Sequence, residues 1–170
     1  MSNKVKGRNG IANYLNVGKE SDEYVLMGAG FTELNETPAA QTSWKKYINY
    51  KNATKRIVGY DWSTPFNTDQ IRDEKAIDFI CNIGEMQLVG DDCETDYVIV
   101  DLDKSTSVAN EYSARKFRVA IEVAEFPTSD EGDMTATGNL LAVGDLIKGK
   151  FNTVTKVFTA DEETPAPDQL

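Results

Sequence analysis

The stretch ARKFRVAIEVAEF, residues 114–126, decides the fold. Read two residues at a time, Phe117, Val119, Ile121 and Val123 fall on one side. Lys116, Arg118, Ala120, Glu122 and Ala124 fall on the other. Side chains alternate across a strand, so this is a long β-strand with one buried and one wet face. The wet face can meet bulk solvent, a ligand, or something that the protein encloses.

Working outward, further strands are expected at 23–28 (EYVLMG), 96–103 (DYVIVDLD), 133–143 (DMTATGNLLAV) and 149–159 (GKFNTVTKVFT). Another is expected at 55–66, with Val58, Tyr60, Trp62 and Phe66 on one face and Gly59, Asp61 and Ser63 on the other. Pro65 has no N–H to give to a ladder, which suits the end of that strand or a sheet edge. In 133–143 the polar side is Asp133, Thr135, Thr137 and Asn139. The turn residues of PTSDEGD predict that 114–126 and 133–143 form a hairpin. One segment has helical period: in DEKAIDFICNIG, Ala76, Ile77, Ile80 and Ile83 recur at three- and four-residue spacing. Asp73 and Glu74 suit its start and Gly84 its left-handed stop. The result is a mainly β (α+β) antiparallel fold with one amphipathic helix lying on it.

A chain of 170 residues is expected to form one domain, 1–170, burying about 70% of its unfolded surface. Residues 1–10 read as an arm, and 160–170, acidic and Pro-containing, as a mobile tail. No apolar run approaches the length of a membrane span. The basic start MSNKVKGRNG has no apolar stretch behind it, so a secretory signal is not expected. Cys81 and Cys93 are expected to be free thiols in a reducing compartment.

The chain has no histidine. That removes Ser-His-Asp and Cys-His catalysis, histidine metal sites and imidazole acid–base chemistry. Two cysteines alone cannot complete a zinc site. No catalytic, cofactor-binding or metal-binding residue is expected, and no enzymatic activity. The net charge of −10 argues against a dedicated nucleic-acid binder. Charge is also unevenly placed: Lys4, Lys6, Arg8 and Lys19 stand without an acid in residues 1–19, and the end from residue 161 holds acids without a base.

Four stretches invite a chemical reading. VLMGAGFTE holds a Gly-x-Gly pair at Gly28 and Gly30, but Glu33 stands where a dinucleotide site wants a third glycine, and a glycine-rich bend is the better reading. The acidic loops GDDCETD (90–96) and TSDEGD (128–133) lack the EF-hand pattern and read as solvated turns. In WKKYINYKNATKR (44–56), Lys45, Lys46, Lys51, Lys55 and Arg56 interleave with Trp44, Tyr47 and Tyr50, and no acid interrupts them. On a basic protein this would be a single-strand platform. On an acidic chain, docking against the acidic surface of another copy is favoured, with the aromatics as buried anchors; a plain exposed loop is the bland alternative.

Four stretches in order, YVLMGAGFTELNETP, ATKRIVGYDW, IRDEKAIDFICNIGE and GNLLAVGDLIKGKFN, resemble the major tail protein (tail tube protein) of long-tailed phages of Gram-positive bacteria. The resemblance spans roughly residues 11 to 160 and rests on ordered similarity rather than on a chemical signature. It implies a β-sandwich with a flanking helix, hexameric rings that stack into a tube, and sheets of six subunits joined into one large β-barrel. Arms and a long loop would reach neighbouring subunits and the next ring. The implied partners are the chain itself, a tape-measure protein inside the tube, tail terminator and baseplate proteins at its ends, and double-stranded DNA in transit, with no membrane. The implied location is the virion, after assembly in the host cytoplasm.

Under that resemblance the wet face lines the bore, with Glu122, Asp133, Thr135, Thr137 and Asn139 facing the lumen. An acidic or neutral wall keeps phosphate from sticking. Lys116 and Arg118 do not suit such a wall: either they pair with acids of a neighbouring subunit or their strand faces elsewhere. Lys4, Lys6, Arg8, Trp44, Lys45, Lys46, Tyr47, Tyr50 and Lys51 are the inter-subunit candidates. Unlike charges at the two ends suit head-to-tail, open assembly. The runner-up is a monomeric β-sandwich carbohydrate-binding module presenting Trp44, Tyr47 and Tyr50.

Overall fold

The computed structural model describes residues 4–162. The expected C-terminal tail therefore falls, from residue 163 on, outside the described residues. After a 3₁₀ turn at Arg8–Gly10 the elements run β1 (Ile11–Asn16), β2 (Tyr24–Leu26), β3 (Phe31–Leu34), β4 (Ala40–Lys45), β5 (Thr54–Tyr60), β6 (Ser63–Asp69) and α1 (Lys75–Glu85). A second 3₁₀ turn, Gly90–Cys93, leads to β7 (Glu94–Ser105), β8 (Glu111–Glu125), β9 (Thr135–Ala142), β10 (Ile147–Asn152) and β11 (Val157–Ala160). Every strand pairing is antiparallel.

The opening stretch is β8, the 15-residue strand on which the fold turns. One edge pairs with β7. The other edge is divided: Glu111–Lys116 pair with β10, and Val119–Glu125 pair with β9. Nine strands hydrogen-bond into one sheet, which forks at β8 because that strand changes partner along its length, and its two branches act as two sheets. The first runs β2-β1-β7-β8-β10-β11 and the second β8-β9-β6-β3. The expected hairpin of 114–126 with 133–143 is the β8–β9 pair.

Phe117, Val119 and Ile121 enter the main core with Leu15, Trp62, Phe66, Tyr97 and Leu140. The helix closes it with Ile80 and Ile83. At about 1.5–3 kcal/mol per fully buried large apolar side chain, this cluster is the main source of stability. Gly84 does not end α1, which continues to Glu85; the left-handed residue is Gln87, with φ 52°. Glycine is needed at 84 for another reason: a Cβ there would stand 2.7 Å from Val123 Cγ1, so its absence lets the helix settle onto β8. Nor does Asp73 cap the helix, whose N-cap position is Glu74 with no side-chain hydrogen bond.

A second apolar cluster lies on the opposite face of the first sheet: Ala12, Tyr14, Tyr24, Val98, Val100, Ala114 and Phe151. The rings of Tyr14 on β1 and Phe151 on β10 are 4.5 Å apart. With β7 and β8 between them, those strands would stand roughly 14 Å apart in a flat sheet. The first sheet must therefore curl until its two ends approach, burying β1 and the middle of β7 on both faces.

Two of the expected strands need correction. The alternation read at 55–66 is not one strand: the chain breaks at Asp61–Trp62, so Val58 and Tyr60 are exposed while Trp62 and Phe66 are core. Stretch 149–159 is a hairpin, β10 and β11, turning through Lys156 at φ 60°. The chain enters the sheet at Ile11, and before it Lys6 is bonded to Asp101 and Arg8 to Asn13. The bend at 28–30 is as read, with Gly30 at φ 88°.

Candidate functional site

Among the described residues no enclosed reactive constellation stands out; what their side chains build are surfaces. The first is the wet face of the second sheet. Along β9, Thr135, Thr137 and Asn139 alternate with buried Ala136 and Leu140. Glu122 on β8 lies opposite Asn139, whose Nδ2 donates to Glu122 Oε1 at 3.2 Å. On the other side Thr137 faces Asn67 and Thr135 faces Asp69 of β6. Four of the five lumen-facing candidates thus share one polar face. Asp133 is the exception: β9 starts at Thr135, and Asp133 sits in the preceding turn, its N–H donating to Ser129 Oγ. The turn bends its backbone out of the pleat that the alternation assumed.

The structure gives Lys116 and Arg118 partners within their own chain. Arg118 lies opposite Asp96 on β7, 3.4 Å from its Oδ1, with Glu94 at 3.7 Å. Lys116 Nζ stands 5.1 Å from the centre of the Phe158 ring. Two carboxylates, Glu94 and Asp96, offset the two cations of that patch, Arg118 and Lys116, so the basic residues do not make the face basic. Cross-strand pairing across 22 residues of sequence is invisible to a period-two reading, which is why these partners were missed.

The second surface is the β4–β5 hairpin. It forms its own two-stranded sheet, apart from the body. Every residue of β4 and β5 is exposed except Gly59, which is half-buried. Such a two-stranded piece is unusual because an isolated hairpin is marginal in water. Its apolar side chains nonetheless face solvent: Trp44, Ile48, Ile57, Val58 and Tyr60 are each more than half exposed. Trp44 and Lys45 end β4; Lys46, Tyr47, Tyr50 and Lys51 fill the turn region. There the Tyr47 and Tyr50 rings meet edge-to-face at 5.7 Å, and Lys45 Nζ lies 5.5 Å from the Tyr47 ring centre. Of the N-terminal candidates, Lys6 and Arg8 are held by this chain's own Asp101 and Asn13, while Lys4 is exposed.

What aims the hairpin is a cluster that sequence reading did not find. Glu36 precedes β4 and Trp62 follows β5, so the two stand at the two roots of the arm. Trp62 Nε1 donates to Glu36 Oε1 at 2.9 Å. Arg115 of β8 grips the same carboxylate with two bonds, 2.7 Å to Oε1 and 2.9 Å to Oε2. Trp62 also stacks on Phe117, with ring centroids 4.2 Å apart and planes 15° apart. Burial pushes the Glu36 carboxyl up, but the bonds from Arg115 and Trp62 outweigh it and hold it below the ordinary value. Arg115 is correspondingly raised by the Glu36 bonds. The two directions agree, as a bidentate pair requires. A Glu and an Arg 79 residues apart carry no sequence signal of their pairing, and the unbroken alternation read at 55–66 concealed the root at Trp62.

Cys81 and Cys93 are both free, the first buried and the second half-buried. Among the described residues no group of three or more His, Cys, Asp or Glu is arranged to hold a metal ion. No helix among them is long and apolar enough to cross a membrane.

No protein-family model matches the chain, and no curated protein matches it. Nine chains of solved structures do. One is a chain of the six-fold symmetrised cryo-EM structure of the anti-feeding prophage (AFP) baseplate, which aligns with a TM-score of 0.54. The match covers 87% of this chain and 97% of that one at 8% identity. At that identity the likeness is one of fold: this protein folds as a chain of a prophage baseplate does.

Proposed function

We propose that the protein is a non-enzymatic structural subunit of a phage-type tail, stacking as hexameric rings into the tube that passes double-stranded DNA. The observation that carries this reading is the projecting β4–β5 hairpin. A protein that works alone has no use for five large apolar side chains held in water, whereas an assembling one covers them on its neighbours. The baseplate likeness in fold supports the same reading, as does the sequence resemblance to tail tube proteins. So do the sheet edges: β2, β3 and β11 each pair on one side only, and joining edges between subunits removes that liability.

In this reading the wet face of β9, β8 and β6 lines the bore. With Arg118 matched by Glu94 and Asp96, such a wall presents polar and acidic groups to the duplex. Phosphate is then repelled over a Debye length of about 8 Å instead of being held by cations. A tape-measure protein would occupy the tube before DNA, and terminator and baseplate proteins would close its ends. The virion would be its location and the host cytoplasm its place of assembly. A carbohydrate platform is less well supported, because Tyr47 and Tyr50 meet edge-to-face and offer no common plane for a sugar.

The test is negative-stain microscopy and light scattering of the concentrated protein, alone and seeded with purified tail ends. Six-fold rings or tubes are expected. A chain that stays monomeric under both conditions refutes the proposal.

A further inference from the structure

Glycine follows asparagine at one place in the 170 residues, Asn9–Gly10. That pair has a chemistry of its own. The Gly10 backbone nitrogen can attack Cγ of the Asn9 side chain, because no Cβ on residue 10 shields it. A bond forms between that nitrogen and Cγ, the Cγ–Nδ2 bond breaks, and the amide leaves as ammonia with the proton of the attacking nitrogen. Water then opens the five-membered imide at either carbonyl. One opening leaves aspartate. The other leaves isoaspartate, whose main chain runs through the side-chain carbons and is one atom longer. Nothing is oxidised or reduced.

The fold places this pair in a strap. Arg8–Gly10 form the 3₁₀ turn ahead of β1, with Asn9 exposed. The Gly10 N–H donates to the Gly7 carbonyl at 3.0 Å, and the Ile11 N–H to the Arg8 carbonyl. Arg8 reaches over the turn, Nη1 donating to the Ile11 carbonyl at 3.0 Å and Nη2 to Asn13 Oδ1 at 2.6 Å. Buried Asn13 continues the chain of bonds to the Tyr97 hydroxyl in the core. Ahead of the turn, Lys6 is bonded to Asp101 and stands 3.3 Å from Asp103 on β7. Asp103 also lies against Gly10, where a Cβ would fall 2.7 Å from its Oδ2. A helical backbone at Asn9 and a Gly10 nitrogen already tied to Gly7 keep the imide from closing, so the reaction waits for the turn to open. The Lys6 side chain is 42% exposed, which puts that opening within reach of salt and local fraying.

We infer that Asn9 is a self-modification site, gated by this strap, and that its conversion frees the segment 4–10 from the sheet for good. The bonds from Gly10 to Gly7, from Ile11 to Arg8 and from Arg8 to Asn13 all span residue 9. One more main-chain atom there puts all three out of register. Either product also adds a negative charge beside Gly10, which already stands against Asp103, so like charges push the strap away from β7. While residue 9 is asparagine the strap opens and recloses. Once ammonia has left, it stays open.

The experiment incubates the full-length chain at mildly alkaline pH and follows residue 9 by peptide mapping with mass spectrometry, separating aspartate from isoaspartate by chromatography. A synthetic peptide of residues 4–14 sets the unrestrained rate. A full-length chain carrying Lys6→Ala and Arg8→Ala has the strap unfastened, and a melting curve confirms that it folds. The parent should convert at least about tenfold more slowly than the peptide, and the unfastened variant should approach the peptide's rate. Asn9→Gln, whose ring would have six members, should stay unconverted. Release of the strap is read with an endoprotease that cuts after Lys6: the converted fraction of the parent should be cut faster than the unconverted fraction and than Asn9→Gln. A parent as fast as the peptide overturns the gating by the strap. A peptide that converts while both full-length chains do not overturns the site. Equal resistance of converted and unconverted chains to the protease overturns the release.

Discussion

Glu36→Gln tests whether the clamp at the arm's root is an energetic unit. The substitution keeps the volume and leaves one carbonyl to accept the Trp62 N–H, but removes the charge that Arg115 grips through two bonds. Hydrogen bonds to charged groups contribute about 1.5–3 kcal/mol. The Arg115 and Glu36 side chains are 37% and 27% exposed, so water screens part of this. A loss of about 1–2 kcal/mol remains, or about 3–6 °C in Tm for a chain of this size. Glu36→Ala goes further, since it also strips the acceptor from nearly buried Trp62, and about 3 kcal/mol is expected. The sign of the pH effect follows from the depressed carboxyl. Its contribution is fully present above the unfolded value of 4.5 and is lost as pH falls through the lower folded value. The gap between parent and Glu36→Gln should therefore be constant from neutral pH down to about 5 and narrow below 4.5. Urea unfolding of Glu36→Gln, Arg115→Gln and the double variant gives the coupling directly. Strictly additive losses, or a gap that widens in acid, would refute the clamp.

Other expectations follow from close packing. A Cβ at Gly138 would fall 1.9 Å from the Glu122 carbonyl oxygen, so Gly138→Ala must force β8 and β9 apart. It should cost about 3 kcal/mol or abolish soluble expression, as read by thermal melting. Thr64 is fully buried, and among the described residues its Oγ1 has no hydrogen-bond partner. Thr64→Val should raise stability by about 1 kcal/mol in urea titration, and a loss would show that the hydroxyl is bonded. Burial raises the Cys81 thiol above its ordinary range, while Cys93 is half-buried in a turn. Ellman's reagent at pH 8 should titrate one thiol quickly and the second only after denaturant is added. Two fast thiols would mean that α1 opens readily.

Strands β8 and β9, wet on one side only, and the helix were legible in the sequence. Their side chains meet two different environments at a fixed period, and that contrast is written locally. The polar grouping of Glu122, Thr135, Thr137 and Asn139 was legible for the same reason. Where both sides of a strand meet one environment, the period carries nothing. Strand β1, buried on both faces with Asn13 and Asn16 hydrogen-bonded inside, was not read as a strand. Strands β4 and β5, exposed on both faces, hid the fact that they leave the body. That β8 serves both branches of the sheet, that Arg118 is answered by Glu94 and Asp96, and that Glu36 and Arg115 bond at the root of the arm came from the folded chain alone. Those facts are pairings between distant residues, and they exist only once the chain has brought them within a few ångströms of one another.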